Sequence, residues 1–344
     1  MLEILKEFRY KLDDIMVKCM HCGVTLYGYE NYTGRFIKWY AEYYHNIKID
    51  YLVSTDMSRG RAYDQEIFRP SIFDFNYKDV RNTVIWVTEP VTKELEADLQ
   101  TRGYVKGETW FDFFDEIYGD DIFVSEEENV NADVFNKRKT GKRDIQFLEW
   151  LEWKFDCNFV TRIRPEDIEG QPKHNSGYGC TTQKEIFPML DHCHIVPSAN
   201  DAIFDFGCGK GGAIVSFLDY GFQRAGGVEY DARIYEILKR NIKKLDLEDK
   251  VDMLCGDAAN ITREIDTYNW FYFYLPFDET ITRKVICNIK ESVRRNERLV
   301  HIIFFSAMNH SYIEADGMFR LTNQFTVDMR SRVVAVFDNG GSIR

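Results

Sequence analysis

Three alternating glycines, Gly207, Gly209 and Gly211, follow a short apolar run with an acid in its midst, Ile203-Phe-Asp205-Phe206. Glycines at that spacing let the backbone turn sharply and leave no Cβ to keep a ligand away. Residues 213–221 carry a helical pattern that ends on Gly221, so the stretch reads as strand, tight turn and helix. Eighteen residues beyond Gly211, a second short run, Gly226-Gly-Val, closes on Glu229. A carboxylate at the end of such a strand accepts hydrogen bonds from the two hydroxyls of a ribose. The pairing predicts a nucleoside-cofactor site.

The glycine spacing narrows the nucleoside. A dinucleotide fingerprint is G-x-G-x-x-G, which seats a pyrophosphate on the helix N-terminus. Here it is G-x-G-x-G with Asp205 two positions upstream, an arrangement that repels a pyrophosphate and suits an ammonium and a sulfonium. The pattern resembles motif I of class I S-adenosylmethionine-dependent methyltransferases. The resemblance continues through Val251 to Ala258, a strand ending in Gly-Asp257-Ala258, and through Tyr268 to Phe277, an apolar and aromatic run broken by Pro276. It implies that Asp257 faces the adenine amino group. It also implies that the segment 175–182, with Tyr178, lies over the cofactor, although the same segment reads equally well as a polar loop joining two domains. The implied cofactor set is Asp205, Gly207, Gly209, Gly211, Glu229, Asp257, Ala258 and Tyr178, with S-adenosyl-L-methionine as cofactor. A helix over 280–295, a buried strand over 299–305 and closing strands at 325–327 and 332–337 complete a seven-stranded sheet over residues 173–344.

One position departs from the pattern. Similarity is strongest to a bacterial group whose fourth strand ends in Asn-Pro-Phe, and amino-directed enzymes carry Asn or Asp there. This chain has Leu275, which cannot accept a hydrogen bond from an attacking nitrogen unless its own carbonyl or that of Pro276 substitutes. Oxygen is therefore favoured over nitrogen as the acceptor atom. An oxygen acceptor calls for a general base with a pKa near working pH. His310, just after the fifth strand, and Asp278, just past Pro276, are the candidates, with Glu279 beside them; His301 reads as a packed core residue.

Composition restricts the partners. A formal net charge of −12 over 344 residues opposes a nucleic-acid substrate held by its phosphates, and the basic cluster 137–143 reads as a solvated linker beside the acidic 126–128. No apolar stretch approaches the ~18 residues that span a bilayer. The start of the chain is charged and amphipathic, unlike a signal peptide. Eight cysteines spread along the chain read as reduced thiols, so a cytoplasmic location is expected. Cys19-Met-His-Cys22 has ligand spacing but no second pair to complete a metal site, and no metal is expected.

Strands at 24–28, 47–53 and 83–88 alternate with helices at 34–44 and 91–102, which predicts a small parallel α/β sheet. This resembles the Rossmann-like N-terminal modules of bacterial sugar- and glycan-modifying enzymes. At the three glycine positions of their fingerprint the chain has Gly28, Glu30 and Thr33, so dinucleotide binding is not expected; substrate recognition, subunit pairing into a homodimer and simple scaffolding all stay open. The expected fold class is α/β with two Rossmann-like domains: a module at 1–124, a charged helical connector at 125–172 and a methyltransferase domain at 173–344. The expected function is methyl transfer to a small-molecule or glycan acceptor. Protein side-chain methylation and a cofactor-binding scaffold without catalysis are the alternatives.

Overall fold

The computed structural model describes residues 1–29, 32–55, 61–62, 65–73, 82–118, 146–168, 177–305, 311–327 and 332–340. The chain divides into two compact units. Among the described residues, one holds 3–118 and 146–150; the other holds 1–2 and 151–340.

In the first unit, β1 (Gly23–Tyr27), β2 (Tyr51–Val53), β4 (Gln65–Phe68), β5 (Thr83–Val87) and β6 (Trp110–Asp112) run parallel. The short β3 (Arg61–Ala62) joins the β4 edge antiparallel, for the order β3-β4-β2-β1-β5-β6. All five residues of β5 are buried, as a central parallel strand covered on both faces requires. Helices α1 (Lys6–Cys19), α2 (Tyr32–His45), α3 (Lys93–Thr101) and α4 (Phe113–Tyr118) complete it, with the start of α5 (Phe147–Phe155). Phe147 packs edge-on against both Phe8 and Phe36. The expected glycine at position 33 is a buried Thr, yet the close helix–strand contact is kept one residue later. A Cβ on Gly34 would stand 2.5 Å from the Gly28 carbonyl oxygen. Glu30 lies outside the described residues.

The second unit is a seven-stranded sheet. Its strands are β7 (Ala202–Phe206), β8 (Arg224–Glu229), β9 (Val251–Cys255), β10 (Trp270–Phe273), β11 (His301–Phe305), β12 (Arg320–Val327) and β13 (Arg332–Asp338), in the order β12-β13-β11-β10-β7-β8-β9. β13 alone runs antiparallel to both its neighbours, β11 and β12. The chain leaves β7 toward β8 and later returns to the other side of β7 with β10, so the strand order reverses between β7 and β10. In open α/β sheets the crevice at such a reversal, beyond the carboxyl ends of the strands, is where ligands bind.

Helices α6 (Gln183–His192), α7 (Gly212–Tyr220), α8 (Ala232–Lys244), α9 (Glu279–Arg295) and α10 (Ser311–Glu314) flank the sheet. Phe204, Phe206, Phe271, Phe273 and Phe304 form the middle of one core, closed by Val285, Ile286 and Ile289 of α9. On the opposite face Tyr272 meets Phe217 of α7. His301 is stacked on Trp270 at 3.9 Å, and burial lowers its pKa against the pull of Asp338 and Asp201, in keeping with a packing role. Burying each large aromatic contributes about 1.5–3 kcal/mol, so this aromatic layer is the floor on which the carboxyl edge is built.

Truncating Phe271, at the centre of that layer, is expected to cost about 3–5 kcal/mol. Urea unfolding of Phe271→Ala, with the midpoint lowered and the slope unchanged, would bear this out; a loss below about 1 kcal/mol would mean that the layer collapses around the gap.

Candidate functional site

The carboxyl ends of β7, β8, β9 and β10 open into one cleft with a cavity volume of about 190 Å³. Six residues of the expected cofactor set line it: Gly207, Gly209, Glu229, Asp257, Ala258 and Tyr178. The other two do not. Asp205 is buried in β7, ahead of the turn, and Gly211 faces α8, where a Cβ would come within 2.6 Å of Leu238.

Each glycine of the turn has its own reason. All three have positive φ: 85° at Gly207, 55° at Gly209 and 89° at Gly211. Space is as restrictive as φ at the first two. A Cβ on Gly207 would stand 2.4 Å from Pro276 Cβ, and one on Gly209 would stand 2.2 Å from the Tyr178 ring. The turn thus runs as bare backbone between the residue that breaks β10 and the aromatic ring from segment 177–182. This is a cradle whose floor a side chain would fill.

Glu229 fastens the turn to β8. Its Oε2 accepts from the Gly209 N–H at 3.0 Å and its Oε1 from the Asp231 N–H at 2.8 Å. Burial nonetheless raises its pKa to about 7, against the lowering effect of those backbone bonds. Asp205 is more extreme: buried and with no hydrogen-bond partner among the described residues, it is pushed up to about 8 by desolvation first and by Glu229 second. Asp257 caps the short 3₁₀ turn at 258–260, its Oδ1 accepting from the Ala259 N–H at 2.9 Å. Glu229 in the cleft and Asp205 just before the turn both resist ionisation because burial penalises their charged forms, and a cationic ligand beside them would favour those charged forms. Bare backbone, an unpartnered buried carboxyl and an acid at the end of β8 fit the ammonium, sulfonium and ribose of S-adenosylmethionine.

The two candidate bases fare differently. Asp278 is the N-cap of α9, accepting from the Ile281 N–H at 3.2 Å, and it does not line the cleft although its neighbour Phe277 does. His310 lies outside the described residues. Leu275 adopts φ 41°, a left-handed conformation that is uncommon for a residue other than glycine, and its side chain offers no acceptor. Among the described residues no three His, Cys, Asp or Glu gather as metal ligands; Cys19 is buried and accepts from the Trp86 indole at 3.3 Å.

Sequence reasoning passed over Ile168, Tyr230, Ile234 and Ile281, which supply much of the apolar wall. Tyr230 directly follows Glu229 and could have been found from that; the isoleucines are indistinguishable from core positions until the chain is folded.

The raised pKa values carry a stability consequence. The folded state holds protons on Asp205 and Glu229 that the unfolded chain releases near pH 4. Their contribution to stability is therefore present below that pH and is lost as pH rises toward about 8. The thermal midpoint of the ligand-free protein is expected to fall between about pH 5 and about pH 8, and Asp205→Asn to flatten that fall. Parallel melting profiles for the two proteins would contradict the assignment.

Residues 200–308 match the family described as RNA cap guanine-N2 methyltransferase. A search of curated proteins finds no match. Among solved structures, the PH0226 protein from Pyrococcus horikoshii OT3 is similar at 14% identity and a TM-score of 0.36, over 45% of this chain and 88% of that one. The glycopeptide N-methyltransferase MtfA with S-adenosylmethionine is similar at 10% identity and a TM-score of 0.36, over 46% and 88%. An RNA methyltransferase from Salinibacter ruber with S-adenosylhomocysteine is similar at 17% identity and a TM-score of 0.34, over 46% and 92%. The family match falls on the strands that form the cleft, and with the strand order and the glycine turn it leads to one conclusion: the C-terminal unit is a class I S-adenosylmethionine-dependent methyltransferase domain, with S-adenosylmethionine as its cofactor.

Proposed function

We propose that the chain transfers a methyl group to a small-molecule or glycan acceptor, at oxygen in preference to nitrogen. The observation that carries this reading is the end of β10. Leu275 stands there with φ 41° and is 37% exposed, offering an apolar side chain where a nitrogen acceptor would need a carboxamide or carboxylate. In this reading Glu229 holds the ribose hydroxyls and Asp257 the adenine amino group. Gly207 and Gly209 admit the cofactor to the backbone, Gly211 leaves room for Leu238 of α8, and Tyr178 and Ala258 shape the walls. Asp205 compensates the cationic amino-acid end.

Bound S-adenosylmethionine supplies a methyl group activated by its sulfonium. The protein's part is to hold the acceptor in line with that methyl, exclude water and receive the proton that an acceptor hydroxyl gives up. His310 is the better candidate for that proton, because Asp278 is engaged as a helix cap. The Rossmann-like first unit, whose glycine fingerprint is incomplete, serves acceptor recognition or pairing of subunits.

A second reading has a specific observation behind it, the match of residues 200–308 to a family described as acting on RNA cap guanine N2. The net charge of −12 weighs against a long polyanionic acceptor, which leaves an isolated base or nucleotide as the form this reading takes.

Calorimetric titration with S-adenosylmethionine and S-adenosylhomocysteine tests the cofactor assignment. Micromolar binding is expected for the wild type, with a loss of at least tenfold in Glu229→Ala, on the order of two hydrogen bonds to a charged group. Transfer of labelled methyl to sugars, small hydroxylated metabolites, guanine nucleotides and protein then separates the acceptors. Label in nucleotides alone would overturn the oxygen reading.

A further inference from the structure

Lys210 lies between the second and third glycines of the turn, and it is completely buried. Its ammonium donates to Asn158 Oδ1 at 2.8 Å and to the Thr161 carbonyl at 2.9 Å. It also stands 5.1 Å from the centre of the Tyr178 ring, within cation–π range. Both hydrogen-bond acceptors are neutral, so desolvation dominates and lowers the ammonium's pKa to about 8, with Glu152 and Cys180 pulling the other way. Burying a cation on neutral partners is unfavourable. An apolar side chain would fill the space at lower cost, so the cation's use lies in the two groups it grips.

Those groups belong to a segment that other contacts hold in the same place. Asn241 of α8 donates from Nδ2 to the Asn158 carbonyl at 2.8 Å and to the Lys210 carbonyl at 3.0 Å, while its Oδ1 accepts from the Asn158 N–H at 2.9 Å. The Tyr178 hydroxyl donates to the Phe159 carbonyl, and the backbones of Tyr178 and Ile163 exchange hydrogen bonds of 2.9 and 3.3 Å. Residues 158–168 and 177–181 thus form a wall laid on the glycine turn. That wall supplies Ile168, Gly177 and Tyr178 to the cleft, whereas Lys210 itself does not line it.

We propose that Lys210 is a positioning residue for the cofactor: by gripping Asn158 and Thr161 it holds Tyr178 and its neighbours as a fixed wall of the cleft. The proposal rests on the reading that this cleft takes S-adenosylmethionine. It makes the stretch that precedes α6 part of the cofactor site.

The test compares full-length wild type, Lys210→Met, Asn158→Ala and the double variant. Three quantities are read for each: the Kd for S-adenosylmethionine, the thermal midpoint, and amide hydrogen exchange of the ligand-free protein. Lys210→Met is expected to weaken binding at least tenfold, on the order of one or two lost charge-assisted hydrogen bonds. Asn158→Ala should have a similar effect, and the double variant should be little worse than either single one, because the groups share one interaction. Exchange should quicken at 158–163 and 177–181 while β7 and β10 keep their protection. Phe271→Ala serves as the control for general destabilisation, with a lowered midpoint and a Kd near wild type. A folded Lys210→Met protein that binds like wild type overturns the proposal. If Lys210→Met does not fold, an unchanged Kd in Asn158→Ala overturns it instead. If wild type itself fails to bind, the cofactor reading falls, and exchange in the ligand-free variants still decides whether Lys210 holds the wall.

Discussion

The structure depends on one steric constraint: the turn from β7 into α7 must pass as bare backbone between Pro276 and the ring of Tyr178. Neither Gly207 nor Gly209 has room for a Cβ there. The constraint fixes the end of β10, because Pro276 occupies the space that a side chain on Gly207 would take. It fixes segment 177–182, because Tyr178 lies on Gly209. It also fixes β8, whose last residue, Glu229, accepts a hydrogen bond from the Gly209 N–H. Three strands and a preceding segment are brought to a common point by a turn with no side chains of its own at the contact.

Electrostatics complements the steric arrangement. Asp205 and Glu229 are buried near one another, and both resist ionisation. A site built only for stability would have neutralised them with a buried cation. Lys210, buried in the glycine turn, instead grips Asn158 and the Thr161 carbonyl. Glu229 faces the cleft, where a ligand with an ammonium and a sulfonium would favour the ionised carboxylates over the protonated ones. Strain at Leu275, at the neighbouring corner of the same cleft, is of the kind that collects at functional sites.

Much of this was legible in the sequence because the signals were local. Three glycines at alternate positions, an acid closing the next strand and an aromatic run broken by Pro276 each lie within a dozen residues, and each led to the element found. The helix expected at 280–295 is α9, begun by the Asp278 cap. A carboxylate at a strand-to-helix junction looks the same in sequence whether it caps, as Asp278 does, or catalyses. What the sequence hid was long-range. Lys210 and Asn158 are 52 positions apart, and a lysine in a glycine loop has no mark of burial. Residues 158–168 looked like charged connector because their bonds are mostly made by backbone carbonyls and amides. The strand expected at 325–327 extends back to Arg320, its exposed residues lacking the apolar pattern that reveals buried strands. Gly34 escaped notice because the fingerprint places its third glycine one residue earlier.

The most direct test of the central claim is amide hydrogen exchange of the whole protein with and without saturating S-adenosylmethionine. The account predicts added protection confined to the glycine turn at 207–211, to 229–231, to 256–258 and to 177–181, with the sheet of the first unit unchanged. Protection appearing in residues 23–112 instead, or none anywhere, would contradict the assignment of this cleft as the cofactor site.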